Sequence, residues 1–322
     1  MSASTLASTT MAAADAVNDL RAPVRQGRLA FLWHALWMDK LALLAAIVLL
    51  AMILIAIFAP AVAPYDPAKQ SLSMRNDPPM TRPAPDAFPY VLGADALGRD
   101  VLSRLIFGAR VSLAVGAASV LISGFIGATL GLIAGYYRGG VDDVIMRAVD
   151  IWMGFPSLLL ALIVLYVTGA GFWNVVLVLA ITRWMVYARV TRSLVLSYRE
   201  NVFIEAARAV GCTDREIITR HLLPNLLSPI LVLATLETAT IILIEASLSF
   251  LGLGLPLSVP SWGQMLAQGR EYVTTAWWLV TFPGLAILIT ALSLNLLATW
   301  ARTVTDPAQR WRFTRRMKPA PG

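Results

Sequence analysis

The feature that most restricts the fold of this chain is a set of long stretches without a charged residue. Leu41 to Ala63 is 23 residues long and has none. At 1.5 Å per residue that is about 34 Å of helix, enough to cross a hydrocarbon core about 30 Å thick. Val111 to Tyr137 is also uncharged, and so is Ile151 up to Arg183, where Thr168-Gly169-Ala170-Gly171 divides the run into two spans joined by a very short turn. Pro229 to Gly254 carries only Glu237 and Glu245, and Ala276 to Ala301 is charge-free. In lipid a chain must satisfy its own backbone hydrogen bonds, which leaves helices or closed barrels. Barrel strands read as alternating segments of about ten residues, and these runs are continuous. The expectation is an all-α polytopic membrane protein with six transmembrane helices. Composition agrees: the 322 residues are 58% hydrophobic and 14% charged, against about 45–50% and about 25% in soluble domains. One compact water-soluble domain is excluded, as is disorder over most of the chain.

An even number of spans places both termini on one side. With the termini cytoplasmic, the inner segments carry 19 of the 26 basic residues, as the positive-inside tendency requires. The layout is then a cytoplasmic segment 1–40, a first transmembrane helix 41–63, an extracytoplasmic loop 64–110, a five-helix core 111–301 and a basic cytoplasmic tail 302–322. The first apolar run is longer than a signal peptide's and is preceded by 40 residues, so it reads as an uncleaved anchor. Residues 1–20, rich in Ser, Thr and Ala, read as disordered. Leu29 to Met38, with Trp33 and Trp37, suits an interfacial helix; a plain lead-in to the first span fits it equally well. The loop 64–110 is proline-rich and nearly neutral, its six basic residues set against five aspartates. An ordered cap is expected there, with a floppy linker as the alternative; in this topology the loop and Trp262 face a partner.

Catalysis and cofactor binding find little support. One cysteine, Cys212, excludes an internal disulfide, and two histidines, His34 and His221, leave little for a metal site. Both histidines fall outside the expected spans, which contain no Asp or Lys to serve an intramembrane nucleophile. The chain has no G-x-x-x-x-G-K-[ST] loop, and its only lysines are Lys40, Lys69 and Lys318. A nucleotide is not cradled here in the usual way.

The segment from Phe203 to Pro224 carries the sharpest local chemistry. Glu205 to Val210 are mostly good helix formers, Gly211 interrupts them as a C′ glycine would, and Thr213-Asp214-Arg215-Glu216 fits a capping box. A second short helix is expected from Asp214 to about Leu222, with Pro224 marking its end or a kink. Small alanines on such a loop suit a helix that settles into a groove of another protein; a hairpin packed on its own bundle explains them equally well. Earlier in the chain, Gly127, Gly131 and Gly135 form a stripe for close helix approach.

Glu205-Ala206-Ala207, then Gly211, then Leu223-Pro224 resembles the EAA loop of ABC import permeases, and His221-Leu222-Leu223-Pro224-Asn225 resembles its peptide-permease variant. Leu92-Gly93-Ala94-Asp95-Ala96-Leu97-Gly98-Arg99-Asp100 with Ser103-Arg104, and Leu248-Ser249-Phe250-Leu251-Gly252-Leu253-Gly254 with Pro260-Ser261-Trp262-Gly263, resemble the second permease subunit of dipeptide and oligopeptide importers. The chain departs from that family at Ala298-Thr299, where Gly-Asp is usual. The resemblance implies a type I importer fold in a bacterial inner membrane and a non-catalytic subunit forming the translocation path. It implies a second, related permease, two cytoplasmic ATPases that use ATP and magnesium, and an extracytoplasmic binding protein. No cofactor is held by this chain, and Glu205, Ala206, Ala207, Gly211, Leu223 and Pro224 form the ATPase-coupling loop. The family handles dipeptides, longer peptides, glutathione and other solutes, and no residue selects among them.

Glu237 and Glu245 fall inside an expected span, where a charge costs about 2.5–3.5 kcal/mol on insertion scales. Eight residues apart, they share roughly one helical face and are candidates for lining the translocation path, with hydrogen bonding across packed helices as the structural alternative. A proton-coupled secondary transporter would also use such carboxylates, although its usual inverted repeats are not seen.

Overall fold

A computed structural model describes residues 28–305. The stretch 1–20 and the tail beyond Thr305 lie outside the described residues. Among the described residues ten main helices are formed: α1 Arg28–Met38, α2 Lys40–Ile57, α3 Val101–Tyr137, α4 Gly139–Met153, α5 Ser157–Thr168, α6 Phe172–Arg199, α7 Val202–Ala209, α8 Asp214–Phe250, α9 Trp262–Gly269 and α10 Trp278–Thr305. Shorter helical turns join them. Among the described residues there is no strand, only isolated bridges Thr81 to Tyr90 and Ala94 to Asp100.

Among the described residues five helices (α2, α3, α6, α8 and α10) are long and apolar enough to cross a membrane, and the bent pair α4–α5 makes up to six. The third expected span is where sequence and structure part. It begins not at Ile151 but after a break of 83° at Gly154-Phe155-Pro156. Gly154 ends α4, and Pro156, which lacks an N–H, precedes α5. The 12 residues of α5 rise only about 18 Å, short of the hydrocarbon core. The turn at residues 169–171 lies where expected, before α6.

Local chemistry sets the other ends. Asp39 separates α1 from α2, its carboxylate accepting from the N–H groups of Leu41 and Ala42 at 3.1 Å. Pro60 follows the break at Phe58, where α2 gives way to a single turn, Ala59–Val62. Asp100 caps α3, which starts ten residues before the expected span and takes in the end of the expected loop.

The core lies between α3, α6 and α8, where Val115, Val120, Tyr187, Leu179, Ile241 and Leu248 are buried together. A second cluster joins α3, α8 and α10 around Trp262, Ile242 and Ile287. The glycine stripe of α3 is used inside the chain. A Cβ on Gly127 or Gly131 would come within 2.1 Å of the Trp184 carbonyl or 2.3 Å of the Ala188 carbonyl, both on α6. Successive glycines meet successive turns, so α3 and α6 run parallel. Helix α2 lies outermost, with Leu44, Ile47, Leu50 and Ile57 exposed, as lipid-facing side chains are. Helix α1 packs Phe31, Leu32, Ala35 and Met38 around Val304 and Trp300 of α10, leaving Trp33 and Trp37 exposed in an edge-to-face pair.

Candidate functional site

The hairpin between α6 and α8 is built largely as its sequence reads. Helix α7 is capped at Val210, and Gly211 takes a φ of +87°, the left-handed turn that glycine adopts at low cost. The capping box forms on both sides: the Glu216 carboxylate accepts from the Thr213 N–H at 3.0 Å, and Thr213 Oγ1 accepts from the Glu216 N–H at 3.4 Å. Past that point the helix changes type at Leu222–Leu223, where a short helix is expected to end, but the chain stays helical through Pro224 to Phe250. Ile217–Leu222 form a π-helical segment, and Leu223 donates to the carbonyl of Ile218, five residues back. Pro224 has no N–H and its ring crowds the preceding turn; the wider turn ahead of it absorbs both problems.

The hairpin has two faces. Ile204 and Ala207 of α7 are buried with Ile217, Leu222 and Leu226 of α8, Val195 of α6 and Tyr136 of α3. Glu205, Ala206, Gly211, Leu223 and Pro224 are exposed, and so are Val202, Phe203 and Val210. Of the residues picked from the loop pattern, Ala207 alone faces inward. Val202 at 79% and Val210 at 84% exposed put apolar surface where a self-contained hairpin would be polar. Cys212 is half-buried at the edge of this cluster.

The end of α3 is fastened to the hairpin by polar contacts that sequence reading missed. The Tyr136 hydroxyl donates to the Asp214 carboxylate at 2.5 Å. Arg199, last in α6, donates to the Tyr136 carbonyl and stands 5.5 Å over its ring. Arg138 pairs with Glu200 at 2.8 Å. Helix α4 is held to α6 by Asp142 with Arg192 and Asp150 with Arg189, each at 2.5 Å.

The two carboxylates within α8 do not share surroundings. Glu237 is buried and faces Arg183 of α6, whose Nε and one terminal nitrogen each donate at 2.7 Å, a bidentate pair. Glu245 is fully buried with no basic residue against it; one oxygen accepts from Ser249 at 2.8 Å and from Ser261 at 3.0 Å, and the other has no partner. Ser261 in turn caps α9, accepting from the Gln264 N–H.

The opposite end of the bundle is an ordered cap. Asp95 pairs with Arg99 at 2.6 Å and Arg104 at 3.4 Å, and both arginines reach Gln268 of α9. Burial pushes the Asp100 carboxyl above its ordinary value, against the lowering effect of its hydrogen bonds with Ser103. Trp262, expected to face a partner, is instead buried. Its indole N–H donates to the Leu105 carbonyl and its backbone N–H to Ser112. Among the described residues no three His, Cys, Asp or Glu side chains converge to hold a metal ion.

The family model described as "Binding-protein-dependent transport system inner membrane component" matches residues 127–311. A second, "N-terminal TM domain of oligopeptide transport permease C", matches residues 27–79. The chain is 41% identical over 275 residues to the di/tripeptide transport system permease protein DppC of Pseudomonas aeruginosa, covering 85% of this chain and 90% of that one. It is 40% identical over 272 residues to the dipeptide transport system permease protein DppC of Alkalihalophilus pseudofirmus, covering 84% and 87%. It is 39% identical over 276 residues to the glutathione transport system permease protein GsiD of Pectobacterium atrosepticum, covering 85% and 89%.

Proposed function

Because the chain belongs to the family of binding-protein-dependent transport system inner membrane components, and is thus a non-catalytic, multi-pass permease subunit of an ABC importer, we propose that it carries dipeptides or oligopeptides across a bacterial cytoplasmic membrane. Its partners in this reading are a second, related permease, two cytoplasmic ATPases and an extracytoplasmic binding protein. The termini and the α7 hairpin lie on the cytoplasmic side, and the cap around Asp95 and Arg99 lies outside. ATP and magnesium are used by the ATPase chains, since this chain offers no phosphate loop. The peptide class is that named for the similar permeases of Pseudomonas aeruginosa and Alkalihalophilus pseudofirmus. Glutathione, itself a short peptide, is named for a third relative, so recognition of a peptide backbone is the common element.

One observation carries the coupling role. Helix α7 turns Val202, Glu205, Ala206 and Val210 outward while its inner face is anchored by Ile204 and Ala207. A short helix with small and apolar outward residues, fixed from behind, suits a groove in a partner. In the cycle, ATP closes the ATPase pair and moves α7, and the bundle rotates as a body against its partner permease to open outward. Peptide then enters from the binding protein, and hydrolysis resets the assembly. Glu237, paired with Arg183, ties α6 to α8 so that the two helices turn together.

The test is affinity purification of this chain from native membranes in mild detergent, followed by mass spectrometry. ATPase subunits and a second permease are expected to accompany it. Recovery of the chain alone, with proton-driven uptake intact, would overturn the reading and return Glu237 and Glu245 to consideration as coupling groups.

A further inference from the structure

Helix α7 is joined to the bundle through two turns, Glu200-Asn201 before it and Gly211 after it. The second turn stands in open space with a left-handed backbone. A short helix between two such turns keeps its angle only through side-chain contacts. The apolar contacts of Ile204 and Ala207 hold it against the bundle but are non-directional. Direction comes from the polar groups around Tyr136. Its hydroxyl donates to Asp214, the first residue of α8, and lies within electrostatic reach of the Arg208 side chain of α7, while its ring is buried with Ile204 and Ala207 of that helix. Its carbonyl and ring are held by Arg199 at the end of α6. One buried tyrosine at the last turn of α3 thus touches the end of α6, the docking helix and the start of α8.

We propose that the Tyr136 hydroxyl is a positioning group through which motion of α7 is passed to α3. This rests on the reading of α7 as the ATPase-docking helix. With the hydroxyl bonded, α7, the first turn of α8 and the last turn of α3 move as one body. Without it, α7 swivels at Gly211 and the movement stops in the hairpin. Because α3 runs parallel to α6 in close backbone contact along its glycine stripe, a push on its inner end is delivered along the length of the bundle core. A hydrogen bond to a charged group supplies the stiffness that apolar packing lacks.

Amide hydrogen exchange on the whole assembled importer tests this, comparing the nucleotide-free complex with the complex trapped by ATP and vanadate. In the unmodified complex, trapping changes exchange in residues 202–209 and changes that of residues 132–137 by about tenfold, the factor expected when one hydrogen bond to a charged group governs the movement. In Tyr136→Phe, which keeps the ring and its packing, and in Asp214→Ala, the response of 202–209 persists and that of 132–137 disappears. Asp214→Asn, which still offers an oxygen to the hydroxyl, keeps both responses; a merely structural role would not separate the nucleotide response of α3 from that of α7. An unchanged α3 response in Tyr136→Phe overturns the proposal and leaves docking standing, as does an α3 end that never responds in the unmodified complex. Absence of any response in 202–209 overturns the docking reading and the proposal with it. Should Tyr136→Phe fail to assemble, Asp214→Ala against Asp214→Asn decides the matter at an exposed position.

Discussion

At Gly131 a Cβ would lie 2.3 Å from the Ala188 carbonyl and 2.9 Å from Thr191 Cβ. Neither neighbour is the free end of a flexible side chain, so α3 and α6 must part to admit one. In lipid, helices associate through packing itself, since the surrounding tails are as apolar as the helices. Gly131→Val should therefore cost about 1–3 kcal/mol, as overpacking does, and lower the yield and melting temperature of the purified subunit. Gly140→Ala meets nothing within 4 Å and should leave both unchanged or slightly raised. Gly211 differs in kind. Its Cβ would also enter open space, but φ is +87°, and a left-handed L-residue costs roughly 1–2 kcal/mol. Gly211→Ala should thus lower uptake per ATP hydrolysed while the subunit remains in the membrane at normal level. The spacing of Gly127, Gly131 and Gly135 is plain in the sequence. Which helix they meet is not, because four-residue spacing states that a backbone comes close and not whose.

Among elements, legibility follows how local the determining chemistry is. The capping box of Thr213 and Glu216 acts over three residues and is formed as its letters suggest. So is the turn before α6. Pro224 marks a change of helical type rather than a stop, because a proline's effect depends on whether the turn before it can widen, and the π segment Ile217–Leu222 does so. The break at Gly154-Phe155-Pro156 leaves no mark in hydropathy, which is continuous across it and blind to a missing N–H. The π segment has a testable use. It adds a residue to one turn, and that registration places both Ile217 and Leu222 in the hairpin core. Pro224→Ala removes the reason for the wide turn. The start of α8 should become better protected from hydrogen exchange, because residue 224 regains an N–H donor. Uptake per ATP should nevertheless fall, because an ordinary α turn rotates Ile217 away from Ile204. Greater protection with unchanged coupling would show that the registration is incidental to function.

Across the whole molecule, the sequence speaks clearly about length and side but not about pairing. Arg183 and Glu237 are 54 residues apart, and Arg192 and Asp142 are 50 apart; neither pair can be inferred until the neighbouring helices are known. Glu237 and Glu245 shared a face on paper, yet one meets Arg183 on α6 and the other Ser261 before α9. Orientation, by contrast, rests on charge alone and has a direct test in the chain's single cysteine. Cys212 sits half-buried beside the α7 turn, so it should react in intact cells with a membrane-permeant maleimide and escape an impermeant one. Leu72, 71% exposed on the loop at the opposite end of the bundle, gives the complement. Leu72→Cys in a Cys212→Ala background should be labelled from outside by the impermeant reagent. The reverse pattern would put the hairpin outside the cell, where no cytoplasmic ATPase could reach Glu205 and Ala206. Coupling through α7 would then be physically excluded whatever the hairpin's shape, since ATP-driven movement can enter this bundle only from the side on which the hairpin lies.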